Sequence, residues 1–221
     1  MKASTTDPPS QKRCRAFTLI EILMVLAVMT LLVALTVPAL RTSSATRLSS
    51  GGRIVASMTT TARQTAMANN TLAALILLTG HGSDHDYRSL AVIYYKEGQG
   101  WLQKGSWEPL PEGVIADFGN PGDCTFLNAS PSPFPFLTDN AAIKYQGAAL
   151  ESGRSFAARV FLPSGGLLDS SIPSQIRLVE GHVENGTLRY SHPGTGGSSD
   201  NYFDIAIVGA TGLPKISRPQ L

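Results

Sequence analysis

Residues 17–40 read FTLIEILMVLAVMTLLVALTVPAL. Glu21 is the one charged residue among these 24, and fourteen of them are Leu, Ile, Val or Phe. As a helix the stretch would run about 36 Å, more than the roughly 30 Å hydrocarbon core of a bilayer. At roughly −0.3 to −0.6 kcal/mol each, the fourteen apolar side chains outweigh one carboxylate at about +3 kcal/mol. The sequence therefore predicts a membrane-spanning helix over 17–40 despite Glu21. A cleavable secretory signal would have an apolar region of only about 7–15 residues, ending in small residues. This stretch is longer, and its acid stands at the wrong end.

The charges on either side are unevenly spread. Residues 1–16 form a short basic leader, with Lys2, Lys12, Arg13 and Arg15 against Asp7. Residues 41–71 hold Arg41, Arg47, Arg53 and Arg63 and no acid. Residues 72–221 hold ten basic and fourteen acidic residues, a net of −4. A basic stem below an acidic head is compatible with stems and heads of neighbouring copies attracting each other. It argues against nucleic acid as the partner of the head. Four basic residues precede the apolar stretch and three follow it closely, which biases the N-terminus only slightly toward the cytoplasmic side. About 180 residues remain beyond the stretch, enough for one compact domain. The two cysteines, Cys14 and Cys124, fall on opposite sides of the predicted span and so cannot pair within one chain.

The run from Arg15 to Leu40, RAFTLIEILMVLAVMTLLVALTVPAL, resembles the N-terminal signature of type IV prepilins and type II secretion pseudopilins. The resemblance implies a cut by a prepilin peptidase between Ala16 and Phe17, followed by N-methylation of the new amine of Phe17. Glu21 then becomes the fifth mature residue, where the family keeps its glutamate. Pro38 becomes the twenty-second, where many type IV pilins carry a helix-bending proline. The family nearly always has Gly before the cut, and this chain has Ala16 instead. In the family's assembly logic Glu21 of one subunit neutralises the amine of its neighbour and sets the axial stagger. Such a head-to-tail contact does not close and builds a helical filament. The implied partners are a prepilin peptidase, other pilin or pseudopilin subunits and inner-membrane lipid. The implied location is the inner membrane, single-pass, with the N-terminus cytoplasmic and the head periplasmic, and then the pilus or pseudopilus.

Beyond the span, Leu48, Val55, Met58, Ala62, Ala66 and Met67 recur at helical spacing, which predicts an amphipathic helix stem over 41–71. Gly51-Gly52 interrupts it, either as a flexible point or as a place of close packing, and Asn69-Asn70 ends it. The pattern then changes to short β-rich runs between Gly, Pro, Asn and Asp clusters. Strands are expected at 72–79 (LAALILLT), 90–95 (LAVIYY), 100–103, 106–108, 113–117, 156–162, 175–180 (QIRLVE), 187–190 and 203–208. Asn185-Gly186 signals a hairpin, and 119–140 reads as a long irregular loop. The expected fold class is α+β: a long N-terminal α-helix, half transmembrane and half amphipathic, packed on an antiparallel β-sheet head (72–221) in the pilin manner. Within the head, the P-S-G-G turn at 163–166 and the late A-T-G at 210–212 are similar to minor pseudopilins of the H/FimT type. Residues 107–114 (WEPLPEGV) are similar to pilin-like proteins known as Verru_Chthon cassette protein D.

Little in the head suggests chemistry. The GHGSDHD run places His81, Asp84, His85 and Asp86 together, but a solvated turn accounts for it and no further ligand follows at metal spacing. Asp200, Asn201 and Asp204 could offer oxygens to Ca²⁺ without matching a calcium loop cleanly. His192 lies in a Gly/Ser-rich loop. No nucleophile elbow, phosphate loop or paired CxxC is present. Some FimT-like minor pilins bind DNA through a basic C-terminal tail. Here Lys215 and Arg218 lack interleaved aromatics, so a solvated tail is expected. The sequence thus predicts a structural subunit that is no enzyme and needs no metal or cofactor. The alternative is a membrane-anchored extracytoplasmic binding module that is not assembled.

Overall fold

The computed structural model describes residues 18–80, 82, 84–128, 143–150, 156–194 and 196–218, and over 33–45 the helical backbone alone. The expectations at Ala16, Phe17 and His81, and those on 129–140, lie outside the described residues. The chain divides into two units, Met1–Ser43 and Ser44–Leu221.

One helix, α1 (Leu19–Asn69), precedes every strand. It is assigned as helix through Pro38 and through Gly51-Gly52. Its end is a left-handed cap at Asn70 (φ 48°). The Thr71 N–H donates to the Ala66 carbonyl at 3.1 Å, and that of Asn70 to Met67 at 3.3 Å. The pair of bonds satisfies carbonyls that the last turn would otherwise orphan.

Within the second unit, Leu48, Val55, Ala62 and Ala66 are fully buried. Their spacing of seven, seven and four residues keeps one face of the helix on the sheets. Thr59 and Thr65 share that face, and their hydroxyls donate back to the carbonyls of Val55 (2.8 Å) and Thr61 (2.6 Å). Met58 is partly buried against the same core. Met67 corrects the sequence expectation: it is 44% exposed, because Ala66 takes the inward position in the last turn.

The glycine pair resolves as close packing. A Cβ on Gly51 would stand 3.1 Å from Val114 Cγ1 and 3.3 Å from Leu178 Cδ1. One on Gly52 would overlap the Phe203 ring, with Cζ at 2.7 Å and two other ring atoms closer still. The two glycines let the helix backbone lie directly on the sheet.

The strands are β1 (Ala73–Leu78), β2 (Ser89–Lys96), β3 (Gly100–Pro109), β4 (Val114–Ala116), β5 (Lys144–Tyr145), β6 (Ala148–Ala149), β7 (Phe156–Phe161), β8 (Ser174–Glu184), β9 (Thr187–Tyr190), β10 (Tyr202–Ile207) and β11 (Pro214–Ser217). One antiparallel sheet has the order β3-β2-β1-β7 and a second the order β11-β10-β8-β4, with β9 paired to β8 and a small β5-β6 ribbon apart. The Asn185-Gly186 turn has φ of 52° and 77°, the left-handed pair that a two-residue hairpin requires.

The all-apolar β1 is explained by burial on both faces. Ala73, Leu75 and Leu77 join the core under α1, with Phe161, Leu178, Phe203 and Ile205. Ala74, Ile76 and Leu78 join a second core with Trp101, Ile143, Tyr145 and Leu150. Successive side chains of a strand point to opposite faces, so a continuous apolar run fits a strand between two layers.

Three strand expectations change. The runs 100–103 and 106–108 are one strand, β3, because a register shift opposite Leu90–Val92 absorbs the intervening residues around Gly105. Residues 214–217, read as a solvated tail, form β11 on β10, with Lys215 opposite Ala206. Strand β8 runs four residues past Glu180 to meet β9.

Candidate functional site

Thr18 and Glu21 close the start of α1 as a reciprocal pair. The Thr18 N–H donates to Glu21 Oε2 and the Glu21 N–H to Thr18 Oγ1, both at 3.4 Å. This is a capping box, in which a Thr at the cap and a Glu three residues on satisfy each other's backbone donors. Glu21 also stands where the positive end of the helix dipole favours an anion.

The following residues have no polar face. Eleven large apolar side chains between Leu19 and Leu32 are 51–80% exposed. Thr30 turns its hydroxyl inward, onto the carbonyls of Leu26 (3.0 Å) and Ala27 (2.9 Å). Covering such side chains is worth roughly 1.5–3 kcal/mol each when complete, or on the order of 20 kcal/mol for the set. An apolar cylinder of this kind is stable only against lipid or other protein. Among the described residues no helix is long and apolar enough to cross a membrane. The described side chains of this segment reach only from Thr18 to Leu32, about 22 Å of helix.

Several polar groups of the head are spent on structure. Arg177 on β8 makes a bidentate pair with Asp204 (2.8 and 2.9 Å) and a third bond to Asp123 (2.5 Å), and it stacks on the Tyr202 ring at 3.9 Å. The Asp204 bond raises the Arg177 pKa above its ordinary value. That engagement takes Asp204 away from the calcium reading of Asp200, Asn201 and Asp204, and no cluster of His, Cys, Asp or Glu fit to hold a metal occurs among the described residues.

Other buried groups behave similarly. Asp117 is fully buried and accepts a 2.7 Å bond from the Tyr190 hydroxyl. Burial first and that bond second push the Tyr190 phenol up. Glu180, also buried, faces Arg47 of α1 at 3.5 Å and His192 at 3.3 Å. Arg159 lies buried over the Phe126 ring and donates to the carbonyls of Thr125 and Ala158, and desolvation lowers its pKa to about 10. Of all these contacts, the Arg177–Asp204 pair is largely buried on both sides, and removing one member of such a pair typically costs about 3–5 kcal/mol. Sequence reading missed these contacts. An Arg inside the apolar run QIRLVE was the visible signal, but the pattern does not name its partner.

Cys124 is buried, and desolvation pushes its thiol up to about 12. At pH 8 its thiolate fraction is then on the order of 10⁻⁴, against about a quarter for a free thiol. A Cys14→Ser chain is therefore expected to give no reaction with Ellman's reagent at pH 8 until guanidinium is added. Prompt reaction of the native chain would contradict the burial.

Residues 11–37 match the family model described as the prokaryotic N-terminal methylation motif. The match covers the segment that resembles prepilins, including Ala16, Phe17 and Glu21, and stops short of the head. No curated protein matches the chain. Among solved structures, the chain is similar to the minor pseudopilin EpsH from the Type 2 Secretion System of Vibrio cholerae. The TM-score is 0.40 at 12% identity, covering 79% of this chain and 99% of that one.

Proposed function

We propose that the chain is a structural minor pilin or pseudopilin subunit, processed by a prepilin peptidase and assembled into a type IV pilus or type II secretion pseudopilus. The observation that carries this reading is the methylation motif at residues 11–37 running into an apolar cylinder that is exposed on all sides. In this reading Phe17–Leu40 stores the subunit in the inner membrane, the cut falls between Ala16 and Phe17, and the amine of Phe17 is methylated. Glu21 meets the amine of a neighbouring copy, Pro38 bends the helix, and the periplasmic head supplies lateral contacts. The Arg177–Asp204–Asp123, Asp117–Tyr190 and Glu180–Arg47 contacts hold the head's own loops and strands, which supports a structural role.

Mass spectrometry of the N-terminus tests this directly. The expected mature chain begins at N-methylated Phe17. Ala16 in place of the customary Gly gives the competing outcome its specific motive. A chain that keeps Met1 and its leader would be a membrane-anchored module that never assembles, and would sink the subunit reading.

A further inference from the structure

The tripeptide N-x-S/T marks an asparagine as an acceptor for N-linked sugar. It occurs here as Asn69-Asn70-Thr71, Asn128-Ala129-Ser130 and Asn185-Gly186-Thr187. The fold treats the three differently. In the first, the Thr71 hydroxyl is committed to the Tyr95 carbonyl at 2.8 Å. In the second, the Asn128 amide donates to the Pro121 carbonyl at 2.5 Å, and Ser130 lies outside the described residues. In the third, no side-chain hydrogen bond engages Asn185 or Thr187 among the described residues. The third also stands where an enzyme can reach it. Strand β8 pairs with β4 and β10 only as far as Glu180, and beyond Glu180 with β9 alone. Residues 182–187, which include the turn, are all exposed. The Leu188 side chain is buried with Ile115 and Val179, so Thr187, one residue earlier on the strand, points to the opposite, solvent face.

We propose that Asn185 is a glycosylation site. Its Nδ2 attacks the anomeric carbon of a diphosphate-activated sugar. The bond from Nδ2 to that carbon forms and the carbon–oxygen bond to the diphosphate breaks. The diphosphate leaves with the electron pair, and the Nδ2 proton passes to a carboxylate of the transferase. An amide nitrogen is a weak nucleophile, because its lone pair is conjugated with the carbonyl, so the transferase must hold the acceptor closely. The uncommitted Thr187 hydroxyl supplies the second grip, which the engaged hydroxyl of Thr71 cannot offer. Val183 stands two residues before Asn185, so the transferase reads N-x-S/T alone, without an acid at that place. The sugar extends from an exposed turn into solvent and displaces no packing in the head. Asn185 accepts it whether or not the chain joins a filament.

Tandem mass spectrometry of the full-length protein, isolated from the cells that naturally make it, tests the assignment on the tryptic peptide 178–189. The expected result is sugar on Asn185 that is lost in Thr187→Val and kept in Thr187→Ser. Asn185→Asp, which suits a left-handed turn position, is expected to lose the sugar while circular dichroism shows the fold kept. Two donors share the diphosphate chemistry, a nucleotide sugar and a lipid-linked one, and pulse-labelling separates them. Sugar already present on chains before membrane insertion identifies the nucleotide donor, and sugar gained only after insertion the lipid-linked one. A wild-type peptide with Asn185 unmodified, or merely deamidated, would overturn the assignment. So would sugar on Asn69 or Asn128 with none on Asn185, or full occupancy in Thr187→Val.

Discussion

Glu21→Val is expected to leave the protein in the membrane fraction and to remove it from sheared or assembled material. The valine makes the anchor more apolar, so insertion should not suffer. On the proposed reading, what it removes is the anion for a neighbour's amine. An unpaired buried charge costs about 3–5 kcal/mol, which corresponds to roughly 10²–10⁴ in the equilibrium for adding each subunit. The capping box with Thr18 offers a second role for the same carboxylate, worth about 1 kcal/mol. Glu21→Gln separates the two roles, since a glutamine can still close the capping box but carries no charge. If pairing is the role, the Gln variant fails to assemble as the Val variant does. Wild-type recovery of Glu21→Gln in assembled material would reduce Glu21 to a helix cap.

The second large effect is expected at Gly52. In an exposed helix, Gly→Ala would gain up to about 1 kcal/mol from propensity alone. Here the added methyl must displace the buried ring of Phe203, and overpacking of that kind costs about 1–3 kcal/mol. For Gly52→Val the offset shrinks and the clash grows, because a β-branched residue recovers less propensity and collides more. A net loss of at least about 2 kcal/mol is expected. In thermal unfolding of the full chain this is a lowering of several degrees. Gly51→Ala is the internal control. Its nearest contacts, 3.1 and 3.3 Å to the ends of Val114 and Leu178 side chains, can give by a few tenths of an ångström. It should come out near neutral. Equal destabilisation at both positions would show that contact with Phe203 is not what sets Gly52 apart from Gly51.

Much of the architecture could be read from periodicity. The stripe Leu48, Val55, Ala62 and Ala66 and the Asn185-Gly186 hairpin are local signals, and local signals survive without knowledge of the partner surface. What the sequence hid depends on contacts far along the chain. Gly51-Gly52 reads equally as a joint or as a tight fit, and Phe203, some 150 residues later, decides between them. Strand β11 looks like a tail because Pro214 and Lys215 are poor strand formers, yet they suit an edge strand, where the missing N–H faces away from the ladder. Gly105 split β3 on paper, while the fold accommodates it as an irregularity. At the N-terminus the reverse holds. The apolar run and its single acid announced a surface needing cover, and the exposure of Leu19–Leu32 agrees with that. The capping box itself, T-x-x-E from Thr18, stood in plain view but was absorbed into the longer F-T-L-I-E signature.

The double burial of β1 has a consequence for how the head comes apart. Its side chains belong to two cores at once, so it cannot leave one layer without opening the other. Its amide protons should be the slowest in the molecule to exchange with solvent, at rates set by global unfolding. A pull on the N-terminal segment would then be borne by the whole head, since the strand that directly follows the helix is the one most deeply held.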